Sequence, residues 1–193
     1  LTVRDEAAVS VSNTGSGKAG NLEITASNLL LDNKGKLTAE TRAGQGNIII
    51  SASDLILRRG SQITTNATGS NITGGNITIN TDNLVAVPKE NSDISANSEE
   101  SFGGRVIVNA QGIFGAQFRP RPTELSDITA SSELGVQFNG VVQLNTPDID
   151  PNRGLAALPT NVIDPSQLIA NSCLGGSNRQ EGQFIITGNG GLP

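Results

Sequence analysis

The sequence feature that most constrains the fold is a glycine-led segment of alternating apolar residues, which occurs five times. Successive glycines stand 26, 29, 29 and 36 residues apart (20 to 46, 46 to 75, 75 to 104 and 104 to 140), a spacing typical of repeat architectures. The second and fourth residues after each glycine are apolar, and those between them are mostly polar or variable. This alternation indicates a half-buried strand in each repeat. The five segments are residues 20–24, 46–50, 75–79, 104–108 and 140–144.

Two further strand-like segments follow in each repeat, as at residues 55–57 and, after a turn, at residues 62–65. No helical periodicity separates these segments, so units that alternate strand and helix are excluded. A chain that coils once per repeat stacks each strand on its counterpart, which produces parallel sheets and a core of aliphatic ladders. We therefore predict an all-β, right-handed parallel β-helix (β-solenoid) with three strands per rung. Residues 1–3 and 9–11 match the second and third strands of an incomplete first repeat.

Length differences between repeats are expected in loops on the outside of the coil. The largest insertion covers residues 114–124 and contains Arg119, Pro120, Arg121 and Pro122. Prolines interrupt a continuing ladder because they lack a backbone N–H. We predict that this insertion is a basic, proline-stiffened protrusion on an otherwise acidic body.

The repeat pattern ends at Thr146, so we assign residues 1–146 to the β-helix and residues 147–193 to an irregular C-terminal cap and tail. Asp164 followed by Pro165 favours the start of a short helix, since these residue types suit the cap and first helical positions. Residues 184–187 favour a last strand. A cap is expected because the open end of a solenoid exposes unpaired backbone. The chain begins with Leu1 in the middle of a repeat, and we interpret it as a fragment of a longer protein.

Composition narrows the classes of function. The chain has a formal net charge of −5, which argues against a nucleic-acid partner because such proteins usually need a basic face. No apolar run reaches the length of a membrane span. The chain contains no histidine and one cysteine, Cys173, so a zinc site, a Ser-His or Cys-His catalytic arrangement and an internal disulfide are not expected. Cys173 is expected to pack in the cap, with a reactive or intermolecular thiol as the alternative.

Carboxylates are the remaining candidates for chemistry, since glycan hydrolysis needs two of them across a cleft. Asp93 and Asp127 precede equivalent isoleucines and are expected to stack in adjacent rungs; our interpretation is that they accept hydrogen bonds from turn amides. The other candidate pairs are Glu99/Glu100 and Asp148/Asp150. The latter pair is a lone D-x-D motif, which alone does not predict a metal site. We predict no catalytic residues, no metal and no cofactor.

Asparagines recur at fixed places in the repeats. Asn28, Asp54 and Asn83 each lie eight residues after their glycine, and we expect a stacked internal amide ladder at a turn there rather than a row of ligand-binding groups. Three N-glycosylation patterns also occur, which we attribute to the Asn- and Thr-rich composition of the repeats. They begin at Asn66, Asn71 and Asn76.

The repeat motifs G-N-I-x-I, L-x-L-x-x-G-S-x-I-T and S-D-I-T-A-S-S (residues 126–132) resemble those of filamentous-haemagglutinin-type exoproteins. The N-T-P-D-I-D-P run at residues 145–151 and the tail at 171–193 are similar to the C-terminal end of large cyanobacterial members of the two-partner secretion class. This resemblance covers essentially the whole chain. It implies export across the outer membrane by a β-barrel partner that recognises a domain upstream of this segment, and it implies no catalytic residues.

From this resemblance we expect a structural, adhesive segment of a large secreted surface protein, located outside the cell, with carbohydrate or a cell-surface receptor as its partner. Two alternatives stay open. One is a polysaccharide-acting lyase or hydrolase, because parallel β-helices also carry such enzymes and fold alone does not decide function. The other is a rod that acts only as a spacer.

Overall fold

The structure is a computed structural model that describes residues 1–147. These residues form a parallel β-solenoid of about four turns, built from two six-stranded sheets, with almost no helix. The predicted all-β, parallel β-helix is therefore confirmed. The elements are β1 (Thr2–Arg4), β2 (Ala8–Ser10), β3 (Asn21–Asp32), β4 (Lys36–Thr38), β5 (Asn47–Leu57), β6 (Gln62–Thr64), β7 (Asn76–Ala86), β8 (Asp93–Ser95), β9 (Arg105–Phe114), β10 (Gln117–Phe118), β11 (Asp127–Thr129), a 3₁₀ helix (Val136–Phe138) and β12 (Val141–Asn145).

The two sheets differ in strand length. The long sheet has the order β1-β3-β5-β7-β9-β12, and the short sheet has the order β10-β11-β8-β6-β4-β2. All pairs within the sheets are parallel, and each repeat pairs in register with the next, as in Ile48 opposite Ile77 and Ile77 opposite Val106. The incomplete first repeat also pairs as predicted, with Val3 opposite Leu31 and Val9 opposite Leu37.

The predicted count of three strands per rung is not confirmed, because the first and second predicted strands form one bent strand. In β5, Ile48 and Ile50 are buried, and so are Leu55 and Leu57. Ile50 and Leu55 are five positions apart, and this odd spacing would direct the two pairs to opposite faces of a flat strand. The strand therefore turns a corner between them, at the point where the pairing register skips Ser53. Both halves of the bent strand consequently face one core.

The core between the sheets consists of stacked aliphatic side chains. On the short sheet, Leu37, Ile63, Ile94 and Ile128 occupy equivalent positions in consecutive rungs, and each is at most 1% exposed. Because every rung places a similar aliphatic residue at the same height, the core needs no aromatic side chain to fill irregular space. This arrangement explains how a chain with 5 Phe and no Trp or Tyr closes a core.

The insertion at residues 114–124 does not extend from the coil as the predicted basic protrusion. Its first part forms β10, which pairs with β11 and becomes the edge strand of the short sheet. Arg119 then turns back to form an ion pair with Asp127, leaving its side chain 21% exposed. The buried carboxylate thus pulls the cation onto the coil, and only Arg121 presents a basic side chain outward.

The predictions for the C-terminal cap, for Cys173 and for Asp148/Asp150 concern residues outside the described part of the chain, and they stay predictions. The domain boundary after Thr146 and the right-handed winding of the coil also stay predictions. Within residues 1–147, no helix is long and apolar enough to cross a membrane.

Candidate binding groove on the short sheet

The outward face of the short sheet carries a groove made of two adjoining cavities of about 610 and about 200 Å³. Both cavities are lined by Glu40, Asn66, Asn97 and Pro122, so we treat them as one site and call it the groove. It forms because the three-residue strands of the short sheet alternate: the aliphatic residue at the centre of β4, β6, β8 and β11 points inward, and the residues beside it point to the outer face.

Small hydroxyl residues form the floor of the groove. Ser95, Thr129 and Ser131 line it and are 6%, 1% and 8% exposed. Across residues 1–147, their three side-chain hydroxyls have no hydrogen-bond partner in the protein, but their oxygen atoms still reach solvent, unlike the fully buried unpartnered hydroxyls of Thr65 and Ser92. The neighbouring Thr64 hydroxyl, in contrast, donates to Glu40 Oε1 at 2.9 Å. A hydroxyl without a protein partner at a solvent-accessible surface bonds water or a ligand instead. The floor therefore offers hydrogen bonds to whatever enters the groove.

A column of asparagines forms one wall. The Asn66 Oδ1 atom accepts the Asn97 backbone N–H at 2.8 Å, and Asn97 Oδ1 accepts the Ser131 N–H at the same distance. These bonds fix the orientation of both carboxamides. In the part of the chain that the structure describes, their Nδ2 groups donate to no protein atom, so the wall presents oriented donors toward the groove.

The insertion forms a roof over one end of the groove. Asp127, which is 1% exposed, pairs with Arg119 and accepts the Thr123 backbone N–H at 2.5 Å. From the other side, Asn139 Nδ2 donates to the Pro120 carbonyl at 2.9 Å. Charge-assisted bonds to a buried carboxylate hold a loop firmly. They keep Arg121 and Pro122, the roof residues, beside the groove.

Asp93 and Asp127 stack in consecutive rungs as predicted, since Ile94 pairs with Ile128. The predicted capping role is also confirmed: Asp93 Oδ1 accepts the Asp127 N–H at 2.9 Å, and Asp127 accepts the Thr123 N–H. Burial, and next the Asp127 charge, raise the pKa of Asp93 from 3.8 to about 6, although the Asp127 N–H and Arg119 act in the opposite direction. Asp93 thus holds a proton more readily than an ordinary aspartate does.

The raised pKa of Asp93 predicts a specific dependence of stability on pH. The folded state binds this proton more tightly than the unfolded state, so the free energy of unfolding decreases as pH rises from 3.8 to about 6. Asp93→Asn imitates the protonated form and keeps an oxygen for the Asp127 N–H. We expect it to remove this decrease and to stabilise the protein at neutral pH by about 1–2 kcal/mol. Urea unfolding across this pH range measures the effect. Glu23→Gln, at an exposed position, is the control, and an equal response of both variants would refute the assignment.

The other predicted residues lie apart from one another. The Asn28/Asp54/Asn83 ladder forms at the corner of the long sheet, where Asn83 Nδ2 donates to Asp54 Oδ1 at 2.9 Å, and the Asn28 amide nitrogen, when directed at Asp54 Oδ2, lies at 3.1 Å. This ladder is confirmed, although its residues are half-buried or exposed rather than internal. Glu99 lines the groove, whereas Glu100 accepts a hydrogen bond from Ser70, so the two do not form a pair across a cleft.

The three N-glycosylation patterns have different environments. Asn66 belongs to the groove wall, and Asn76 donates to Asn47 Oδ1 at 2.8 Å in a second ladder. Asn71 is exposed in a turn with φ of 59°. Two of the three asparagines therefore have structural roles in the repeats.

Sequence reasoning missed the groove itself. The available signal was the set of polar residues on either side of each short-strand isoleucine. Asp127 before Ile128 and Thr129 after it are an example. The sequence does not show that the insertion folds back to roof them. Among residues 1–147, no three potential metal ligands come together. Comparison of the chain with protein-family models, with curated proteins and with solved structures finds no match.

Proposed function

We propose that this chain is a structural and adhesive segment of a large secreted surface protein of the filamentous-haemagglutinin type, and that it attaches to surfaces or cells through the groove. The observation that carries the proposal is the groove floor, where mostly buried Ser and Thr residues present hydroxyls without protein partners to the groove. The sequence motifs that resemble those exoproteins support the wider context.

The repeating ladders support the structural part of the proposal. On the long sheet, Asn47 donates to Asn21 and Asn76 donates to Asn47, each at 2.8 Å. A further ladder on the same sheet joins Asn80, Asn109 and Asn145. Because each rung is bonded to both neighbours through backbone and side chains, the solenoid resists bending and local opening. A stiff rod of this kind holds a binding surface in a constant orientation.

Location and partners belong to the same proposal. The protein would act outside the cell, after export through an outer-membrane barrel that recognises a domain upstream of this segment. Its partner would be carbohydrate or a cell-surface receptor. Nucleic acid is an unfavourable partner because the net charge is −5.

A polysaccharide-acting enzyme is the second candidate, and the raised pKa of Asp93 in the groove is the observation that favours it. A hydrolase also needs an ionised partner carboxylate with free access to water or substrate. Asp127 is poorly suited to that part, because Arg119 and the Thr123 N–H occupy its two oxygens. For this reason we favour binding without cleavage.

The test uses the purified chain and a panel of neutral, cationic and acidic polysaccharides, with retention and new chain ends followed in the same samples. Retention without new chain ends is expected. If the native chain produces new chain ends and the Asp93→Asn variant does not, the binding proposal is wrong and the protein is a polysaccharide-cleaving enzyme. Absence of both retention and cleavage would leave only a spacer rod.

A further inference from the structure

We propose that the groove binds a linear polymer of amino sugars, lying along the coil axis with its ammonium groups toward Glu99 and Glu133. This inference rests on the proposed adhesive function and names the class of ligand for the same site. Three features of the groove lead to it: the hydroxyl floor, the direction of the groove and its charge.

The floor and wall require a ligand rich in hydroxyl or amide groups. Ser95, Thr129 and Ser131 are residues more than nine-tenths buried whose hydroxyls have no protein partner among the described residues, and Asn97 adds an oriented amide. An apolar ligand would leave these groups unsatisfied, at a cost comparable to several lost hydrogen bonds. A sugar chain, which carries hydroxyl and amide groups along its whole length, satisfies them.

The direction of the groove follows from the parallel register. Ser95 pairs with Thr129, so the floor hydroxyls come from consecutive rungs, about 4.8 Å apart along the coil. The wall repeats in the same direction from Asn66 to Asn97. Groups that repeat along one line match a ligand whose own groups repeat along a line, and this favours an extended linear chain.

The charge of the groove selects among sugar polymers. Glu99 and Glu133 directly follow Ser98 and Ser132, which pair with each other, so the two carboxylates stack in consecutive rungs. Within residues 1–147, neither of them has an ion-pair partner, and both are exposed at the groove. Glu40 and Asp93 add further carboxyl groups, whereas Asp127 is already paired with Arg119, and among the described residues that line the groove Arg121 is the one cation. Stacked like charges repel each other, and a ligand ammonium group would relieve this repulsion.

None of the described residues that line the groove is aromatic. Stacking of a sugar ring on an aromatic face is therefore absent, and recognition depends on hydrogen bonds and charge. Such binding is sensitive to salt, because exposed charges are screened within about 8–10 Å at moderate ionic strength.

The test measures binding of the whole purified chain to three immobilised oligosaccharides of equal length at a mildly acidic pH that keeps amines protonated. The probes are β-1,4-linked glucosamine, its fully N-acetylated form and galacturonate. We expect the tightest binding to glucosamine, weaker binding to the acetylated form and the weakest to galacturonate, with the glucosamine preference decreasing as salt is added. Equal binding of all three probes, or a preference for galacturonate, would overturn the proposal.

Variants connect the preference to the groove. Glu99→Gln and Glu133→Gln should each weaken glucosamine binding about three- to fivefold and leave the acetylated probe unaffected. Glu23→Gln removes the same charge on the outward side of the long sheet and should change nothing. Thr129→Val keeps the side-chain shape and should weaken binding of both sugar probes. If Glu23→Gln has the same effect as Glu99→Gln, the ligand binds by overall charge, and the groove assignment is wrong.

The two proposals fail in distinguishable ways. Retention of the chain on other polysaccharides without a glucosamine preference would refute the ligand class and leave the adhesive function. Absence of retention on every surface tested would refute both.

Discussion

Replacing Gly104 by alanine is expected to destabilise the solenoid strongly, although the change adds only one methyl group. A Cβ atom at this position would lie 2.0 Å from the carbonyl oxygen of Gly75 in the preceding rung. That oxygen belongs to the backbone and accepts the Arg105 N–H at 3.0 Å, so it cannot move away without breaking the ladder. We expect a loss of at least about 3 kcal/mol in the free energy of unfolding.

Gly20 provides the matched control, because it begins the first complete repeat. A Cβ atom there would first meet the Val11 side chain, at 3.3 Å, and no backbone atom nearer than 3.8 Å. Gly20→Ala should therefore cost much less than Gly104→Ala, although the two glycines hold equivalent places in the sequence. Urea unfolding followed by circular dichroism compares them. If the two variants lose similar amounts of unfolding free energy, the close approach of neighbouring rungs is not the reason why glycine is needed at these positions.

The second large effect is expected from Ile50→Ala in the middle of β5. Ile50 is fully buried and packs in the core, between Ile24 and Ile79 of the adjoining rungs. Removing a buried isoleucine side chain to alanine typically costs about 2–5 kcal/mol, and we expect about 3–4 kcal/mol here because stacked rungs leave little room to collapse.

Ile49 is the control for this substitution, since it is the preceding residue on the same strand and is 38% exposed. Ile49→Ala should change the free energy of unfolding by less than about 1 kcal/mol. The same urea titration measures both variants. A large loss for Ile49→Ala would mean that another surface covers the outer face of the long sheet.

Much of the architecture was predictable because the repeat imposes it locally. The alternation after Gly46 and Gly75 indicates which side chains face inward, and the fixed spacing sets their register, as the pairing of Ile48 with Ile77 confirms. The stacking of Asp93 on Asp127 follows from the same register. A period-two pattern leaves one choice of buried face, so sequence reasoning is reliable where the pattern is regular.

Features that depend on contacts between distant residues were not predictable. The bend in β5 near Ser53 leaves no signal that distinguishes one bent strand from two separate strands, since both place Leu55 and Leu57 inward. The insertion was expected to protrude because extra residues in a repeat fall in loops outside the coil and because its prolines interrupt a continuing ladder. It folds back because Arg119 meets a carboxylate, Asp127, that the coil has already buried.

The sequence by itself determined the solenoid, its register and its aliphatic core, because each of these follows from side chains that repeat at fixed intervals along the chain. Only the tertiary structure decided where the coil bends, how the insertion packs and that a groove lies between Pro122 and the hydroxyls of the short sheet. The reason is physical: periodic order is encoded locally, whereas a groove exists only after residues far apart in sequence have been brought together around it.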